Sequence, residues 1–191
     1  MTPMRNVVLA CCLALSVPAL AQGTPAPAAP APAPSSSFQA DAAGVLGHVQ
    51  KEMVSLLQAM PQNKFNWRPG KGVRSVGEVY VHAAGSAYWY GKTLGFQVPD
   101  GVQAKMKDLE KSTDKAQIEK ALNDSFEWFA SNVKQMPDSN LTQTVKLMDH
   151  DLTKRAVVMI AMGHYEEHLG QSIAYARMNG VVPPWSKNDK S

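Results

Sequence analysis

Five histidines occur, at positions 48, 82, 150, 164 and 168, and the last two are four residues apart. On a helix that spacing puts two imidazoles one above the other on the same face. Such a pair can chelate one divalent metal. The face of His164 and His168 also carries Val157, Ile160, Ala161, Gln171, Tyr175 and Met178, and so reads otherwise as core. A buried polar ring without a partner costs on the order of 1–3 kcal/mol. Either a metal or hydrogen bonds to neighbouring helices must satisfy the two rings, and the spacing alone leaves both open. His82 adds a third imidazole, in line with Val79, Ser86 and Trp89 on another apolar face. Helix bundles build metal sites from facing side chains, and three histidines with a position left for water make an open site of the catalytic type. The helical metalloprotease motif does not apply, because Tyr165 rather than Glu follows the first histidine. Glu166 and Glu167 are expected to be solvated or to support the site, not to ligate. Gln171, one turn beyond His168, either orients a ligand or bound water or makes a plain interhelical hydrogen bond.

Other polar and aromatic residues read more simply. His48 is expected on the surface or in a partly buried structural position, and His150, between Asp149 and Asp151, in a solvated loop. Trp67, Arg68 and Pro69 are expected to brace a loop. Tyr88, Trp89, Tyr90 and Trp128 are expected as core and pocket wall. Trp89 and Tyr175 are the expected walls of a cleft that opens on the histidines.

The elements that must hold these groups are helical. Periodicity is near 3.6 throughout and no segment alternates for long. A first helix is predicted from about Phe38 to Met60, carrying Val45, Val49, Met53, Leu56 and Leu57, with Pro61 at its end. Asn66 to Gly72 is a breaker-rich loop. Ser75 followed by Glu78 fits the capping box, in which the serine oxygen and the glutamate satisfy each other's free amides. The helix so started runs to Leu94, with Gly95 as a left-handed stop. Val98 to Leu109 is expected to be irregular or weakly helical. Ser112 or Thr113 is the expected cap of a third helix bearing Ile118, Leu122, Phe126, Phe129 and Val133. A polar stretch from Pro137 to Asp151 precedes the longest helix, from about Leu152 or Thr153 to Met178, which Asn179-Gly180 and Pro183-Pro184 close. The fold class is all-α, a four-helix bundle. The second apolar face of the last helix, with Val158, Met162, Tyr165 and Leu169, is expected to meet either the third helix or a second copy in a homodimer.

Of the 191 residues, 45% are hydrophobic and 18% charged, enough apolar content for one packed domain. Residues 1–21 read as a signal peptide: Arg5 supplies the positive start, Asn6 to Leu20 is mostly apolar, and Ala19-Leu20-Ala21 fits the cleavage pattern. A lipoprotein signal ending at Cys11 or Cys12 is the alternative, but it leaves a short apolar run. Residues 22–37 form an Ala/Pro-rich linker with Pro25, Pro27, Pro30, Pro32 and Pro34, which favour an extended, unpacked chain. The domain is expected over 38–185, with a tail at 186–191. Both cysteines lie within residues 1–21, so the mature chain would be periplasmic or secreted and without a thiol of its own. Cleavage would leave 18 basic against 16 acidic groups, too scattered for nucleic acid. No stretch after residue 37 offers the roughly 20 consecutive apolar residues of a membrane span.

Three segments carry a family resemblance: "NWRPGKGVRSVGEVYVHAA" from Asn66 to Ala84, "HYEEHLGQ" from His164 to Gln171, and "YARMNGVVPP" from Tyr175 to Pro184. They resemble the DinB-like (YfiT-like) superfamily of metal-binding four-helix bundles. The likeness is strong at these segments and architectural in the first and third helices. It implies a metal triad with one histidine on the second helix and an H-x-x-x-H pair on the last, which fall on His82, His164 and His168. The implied cofactor is a divalent transition metal, with zinc or nickel expected, although imidazole also suits copper and iron. Proteins that the chain resembles include thiol transferases, thiol-dependent isomerases and proposed metal hydrolases, and many are dimers. The expectation for this chain is metal-assisted hydrolysis or Lewis-acid chemistry on an unidentified small molecule. A thiol transferase, or a metal- or ligand-binding domain without turnover, is the alternative.

Overall fold

The computed structural model describes residues 37–186, and the expected signal peptide, most of the expected linker and most of the C-terminal tail lie outside them. Five helices and one small hairpin follow in order: α1 (Phe38–Ala59), α2 (Val76–Leu94), α3 (Val102–Leu109), α4 (Lys115–Gln135), β1 (Thr144–Leu147), β2 (His150–Thr153) and α5 (Lys154–Met178). The four long helices form the bundle. α1 and α2 each pack on both α4 and α5, so α2 and α5 are neighbours. That adjacency lets an α2 histidine face an α5 pair.

Local chemistry explains most boundaries. Ser37 caps α1 by accepting from the Ala40 amide. α1 has no basic residue in its last turn, but Lys115, from the start of α4, donates to the carbonyls of Gln58 and Met60 at 2.6 and 2.9 Å. The cation thus meets the negative end of the helix dipole from another element. α2 starts at the predicted capping box, with Ser75 Oγ accepting from the Glu78 amide and Glu78 accepting from the Ser75 amide. Gly95 ends it in the left-handed conformation, φ 88°. Thr153 caps α5, accepting from Ala156.

The core lies between the long helices. Leu46, Val49, Met53 and Leu57 of α1 meet Val79, Tyr80, Ala83 and Ala87 of α2, Ile118, Leu122, Phe126 and Phe129 of α4, and Val157, Val158, Ala161 and Tyr165 of α5. α4 and α2 approach closely at Gly91, where an added Cβ would lie 2.3 Å from Trp128 Cη2.

Four expectations are corrected. The stretch from Val98 to Leu109 contains a formed helix, α3, entered through left-handed Gly101. The cap of α4 is Asp114, which accepts from the Gln117 amide, while Ser112 accepts from the Asp114 amide. The polar stretch after Pro137 holds the antiparallel hairpin, in which Thr144 pairs with Thr153 and Leu147 with His150. Its strands are four residues long and turn at Met148-Asp149, with Met148 at φ 53°; without the usual Asn-Gly or Asp-Gly the turn leaves no sequence signal.

The fourth correction concerns which side of α5 is inside. Ile160 and Met178 are exposed, whereas Val158, Tyr165, Leu169 and Ser172 are buried. Each residue rotates a helix by about 100°, and on that wheel Ile160 and Met178 fall on the solvent side of His164. The histidine stripe therefore runs along the margin of the buried face. The second apolar face packs inward, with Tyr165 against Phe126 and Phe129 at ring centroid distances of 4.6 and 6.1 Å. Of the two partners expected for this face, it meets the helix that carries Phe126 and Phe129.

Candidate metal centre

His82 on α2 and His164 and His168 on α5 converge. Their ring centroids lie 5.2, 4.8 and 4.4 Å apart, and one nitrogen from each lies within 4.8 Å of the others. The rings meet edge to face. His168 is buried, while His82 and His164 are partly exposed and line an open cleft of about 750 Å³. The group sits where core gives way to solvent, as the position of the stripe on α5 requires.

Hydrogen bonds fix which nitrogens are free. His168 Nδ1–H donates to Gln171 Oε1 at 3.0 Å, Gln171 Nε2–H donates to Tyr175 Oη at 3.1 Å, and Tyr175 O–H donates to the Arg74 carbonyl at 3.2 Å. The relay has one direction, because the carbonyl at its end can only accept. His168 is therefore the Nδ1–H tautomer. Its Nε2 carries a lone pair, is buried and has no hydrogen-bond partner. Buried acceptors are seldom left in that state, and an imidazole lone pair beside two further imidazoles suits a transition metal.

His164 is held differently. Its Nε2 lies 3.0 Å from Ser86 Oγ, and Ser86 donates to the His82 carbonyl at 2.8 Å. With the single hydroxyl proton so used, His164 Nε2–H is the donor and Nδ1 keeps the lone pair. A metal at the triad must take Nδ1 of His164 or draw Nε2 away from Ser86.

Burial and neighbouring charge favour the neutral ring at His82 and His164. Burial, then the positive charge of Arg74 and the other two histidines, pushes His82 down from 6.5 to about 4. His164 is also lowered, by burial first and His168 second, with Glu167 opposing. Neutral imidazole is the form that binds metal.

The cleft wall comes from several elements: Arg74 and Glu78 at the start of α2, Trp89 and Tyr90 farther along it, Met106 and Glu110 around α3, and Met148 at the hairpin turn. Trp89 is a wall, as expected. Tyr175 is not: it is buried, packs edge-on against Trp67 at 5.4 Å and serves the relay. Glu166 and Glu167 are exposed. Arg68 braces the loop through the Val73 carbonyl and Glu78, both within 2.9 Å. His48 is on the surface, 3.6 Å from Glu52, and His150 is exposed on β2. Sequence reasoning missed Arg74, Met106, Glu110 and Met148. Arg74 could have been noticed as the residue before the capping-box serine. Met106 and Met148 lie on the two elements that carried no clear pattern.

A family model described as the DinB superfamily matches residues 46–172. Among solved structures, the chain is similar to a DinB-like protein from Bacillus cereus, with TM-score 0.63 and 16% identity over 74% of this chain and 94% of that one. It is also similar to the DinB-like protein YjoA from Bacillus subtilis, with TM-score 0.57 and 15% identity over 73% and 92%. A third likeness is to YfiT from Bacillus subtilis, described as a probable metal-dependent hydrolase with an unusual four-helix bundle topology, with TM-score 0.60 and 16% identity over 78% and 93%. At these identities the likenesses show the fold. Comparison with curated proteins gives no match.

Proposed function

Since the chain belongs to the DinB superfamily, we propose that it is an exported protein that holds a divalent transition metal, zinc or nickel, on His82, His164 and His168. We further propose that it uses the metal for hydrolysis or related Lewis-acid chemistry on a small molecule. The observation that carries this reading is the unpartnered, buried Nε2 of His168, aimed among neutral imidazoles beside an open cleft. When bound, the metal supplies Lewis acidity for polarising a carbonyl or activating water.

The chain's own groups do the rest. The Gln171–Tyr175–Arg74 relay holds the His168 ring and its tautomer, in the way outer partners commonly orient metal-binding imidazoles. Ser86 positions His164. Trp89, Tyr90 and Met106 give the cleft an apolar wall that binds a substrate body and displaces water. Export is supported by the signal-like pattern of residues 1–21, which also removes both cysteines. A thiol would then have to come from outside the chain, so hydrolysis is preferred to thiol transfer.

Two measurements on the purified mature protein test this. Metal analysis should find one equivalent, lost in His168→Ala. The cobalt-substituted protein should change its visible spectrum when azide is added, because one coordination position is open. A silent spectrum means a closed site and rejects the catalytic reading. Absence of metal in protein refolded with zinc or nickel rejects the metal reading altogether.

A further inference from the structure

Arg74 lines the cleft with His82 and His164, and its positive charge lowers the pKa of both. Its guanidinium makes no hydrogen bond or ion pair with the described residues. The one acid close by in sequence, Glu78, is already used: one oxygen accepts from Arg68 at 2.8 Å and the other from the Ser75 amide at 2.7 Å. The backbone of Arg74 is pinned, because its carbonyl ends the relay from His168. The first amides of α2 are also occupied, those of Val76 and Gly77 by the carbonyls of Trp67 and Phe65. Among the described residues the guanidinium is thus left without a partner at this end of the cleft.

An unpaired cation beside a site for a second cation is repulsive, and an anion between them reverses the sign. We propose that Arg74 makes the cleft a receptor for a small organic monocarboxylate, whose apolar body lies against Trp89, Met106 and Met148. The proposal rests on the metal-site reading above, since the carboxylate would place the rest of the molecule toward the histidines. A single guanidinium suits one carboxylate. Glu78 and Glu110 on the same wall disfavour a doubly charged phosphate ester. The exposed Trp89 and Met148 offer an aromatic face and a flexible thioether to an apolar group.

Calorimetry on the zinc-loaded mature chain, with phenylacetate, its neutral isostere phenylacetamide and phenyl phosphate as probes, tests the assignment. Phenylacetate should bind about tenfold more tightly than phenylacetamide, as expected for a hydrogen bond to a charged group. Arg74→Met should remove that preference, Arg74→Lys should recover part of it, and neither should lower zinc content. Unchanged phenylacetate binding in Arg74→Met overturns the proposal. If that binding is lost in His168→Ala, the carboxylate sits on the metal alone, and the metal reading stands. Tightest binding by phenyl phosphate overturns the carboxylate assignment. Arg74-dependent phenylacetate binding in protein that holds no zinc supports the anion site while rejecting the metal reading.

Discussion

At the scale of single residues, the histidines differ in what holds them, and substitutions should separate their roles. His168 is both the most buried member and the one whose free ring nitrogen is buried without a hydrogen-bond partner, so His168→Ala should abolish stoichiometric zinc binding. Gln171 touches His168 rather than the metal position. Gln171→Ala should leave stoichiometric binding but weaken affinity by about 10–100-fold, the usual effect of losing an outer partner. Competition against a chromophoric chelator distinguishes the two. Equal losses would mean that Gln171 is itself a ligand. His82 supplies a pH test in the metal-free protein. Its folded pKa, about 4, lies below its ordinary 6.5, so folding favours the neutral ring. The associated stability is complete above about 6.5 and is lost as the pH falls through about 4. NMR titration of the imidazole should show a midpoint near 4, with a parallel fall in melting temperature. A midpoint at the ordinary value would show that the ring is solvated. Proton competition at His82 thus falls below the pH of about 6 expected of an unperturbed imidazole.

At the scale of elements, the close contact of α2 with α4 brings the site helix to its place. Gly91 permits it, since an added Cβ would lie 2.3 and 2.5 Å from two atoms of the Trp128 ring. In an ordinary helix interior Gly→Ala gains roughly 0.5–1 kcal/mol. Here the methyl meets a broad indole held by Tyr88 and Phe96, and overpacking of this kind costs about 1–3 kcal/mol. Gly91→Ala should therefore lower the denaturant midpoint, and Gly91→Ala with Trp128→Leu should recover part of the loss. A stabilised single variant would show that α2 and α4 sit farther apart. α3 and the hairpin add little to the core, where only Leu109 and Leu147 among their residues are buried. They contribute Met106 and Met148 to the cleft wall instead.

At the scale of the whole molecule, the prediction concerns the region before Ser37. The mature protein should begin at Gln22, as the Ala19-Leu20-Ala21 pattern implies. Mass spectrometry of protein recovered from the periplasm or medium checks this. A chain retaining residues 1–21 in the cytoplasm, or a lipidated cysteine, would overturn it. What the sequence by itself determined is what local rules govern. The 3.6-residue period, the Ser75 and Glu78 capping box and the Gly95 stop depend on neighbours within a turn or two, and all three are present in the fold. The four-residue spacing of His164 and His168 likewise determined that they share a face. Only the tertiary structure decided that α2 and α5 are adjacent, so that His82 meets that face, because sequence order does not say which helices of a bundle touch. It also decided how far each helix is rotated, which left Ile160 and Met178 outside and drew Tyr175 into the relay, and it placed Arg74 in the cleft wall with His82 and His164. Rotation follows from the packing of every buried side chain at once, and no single segment encodes it.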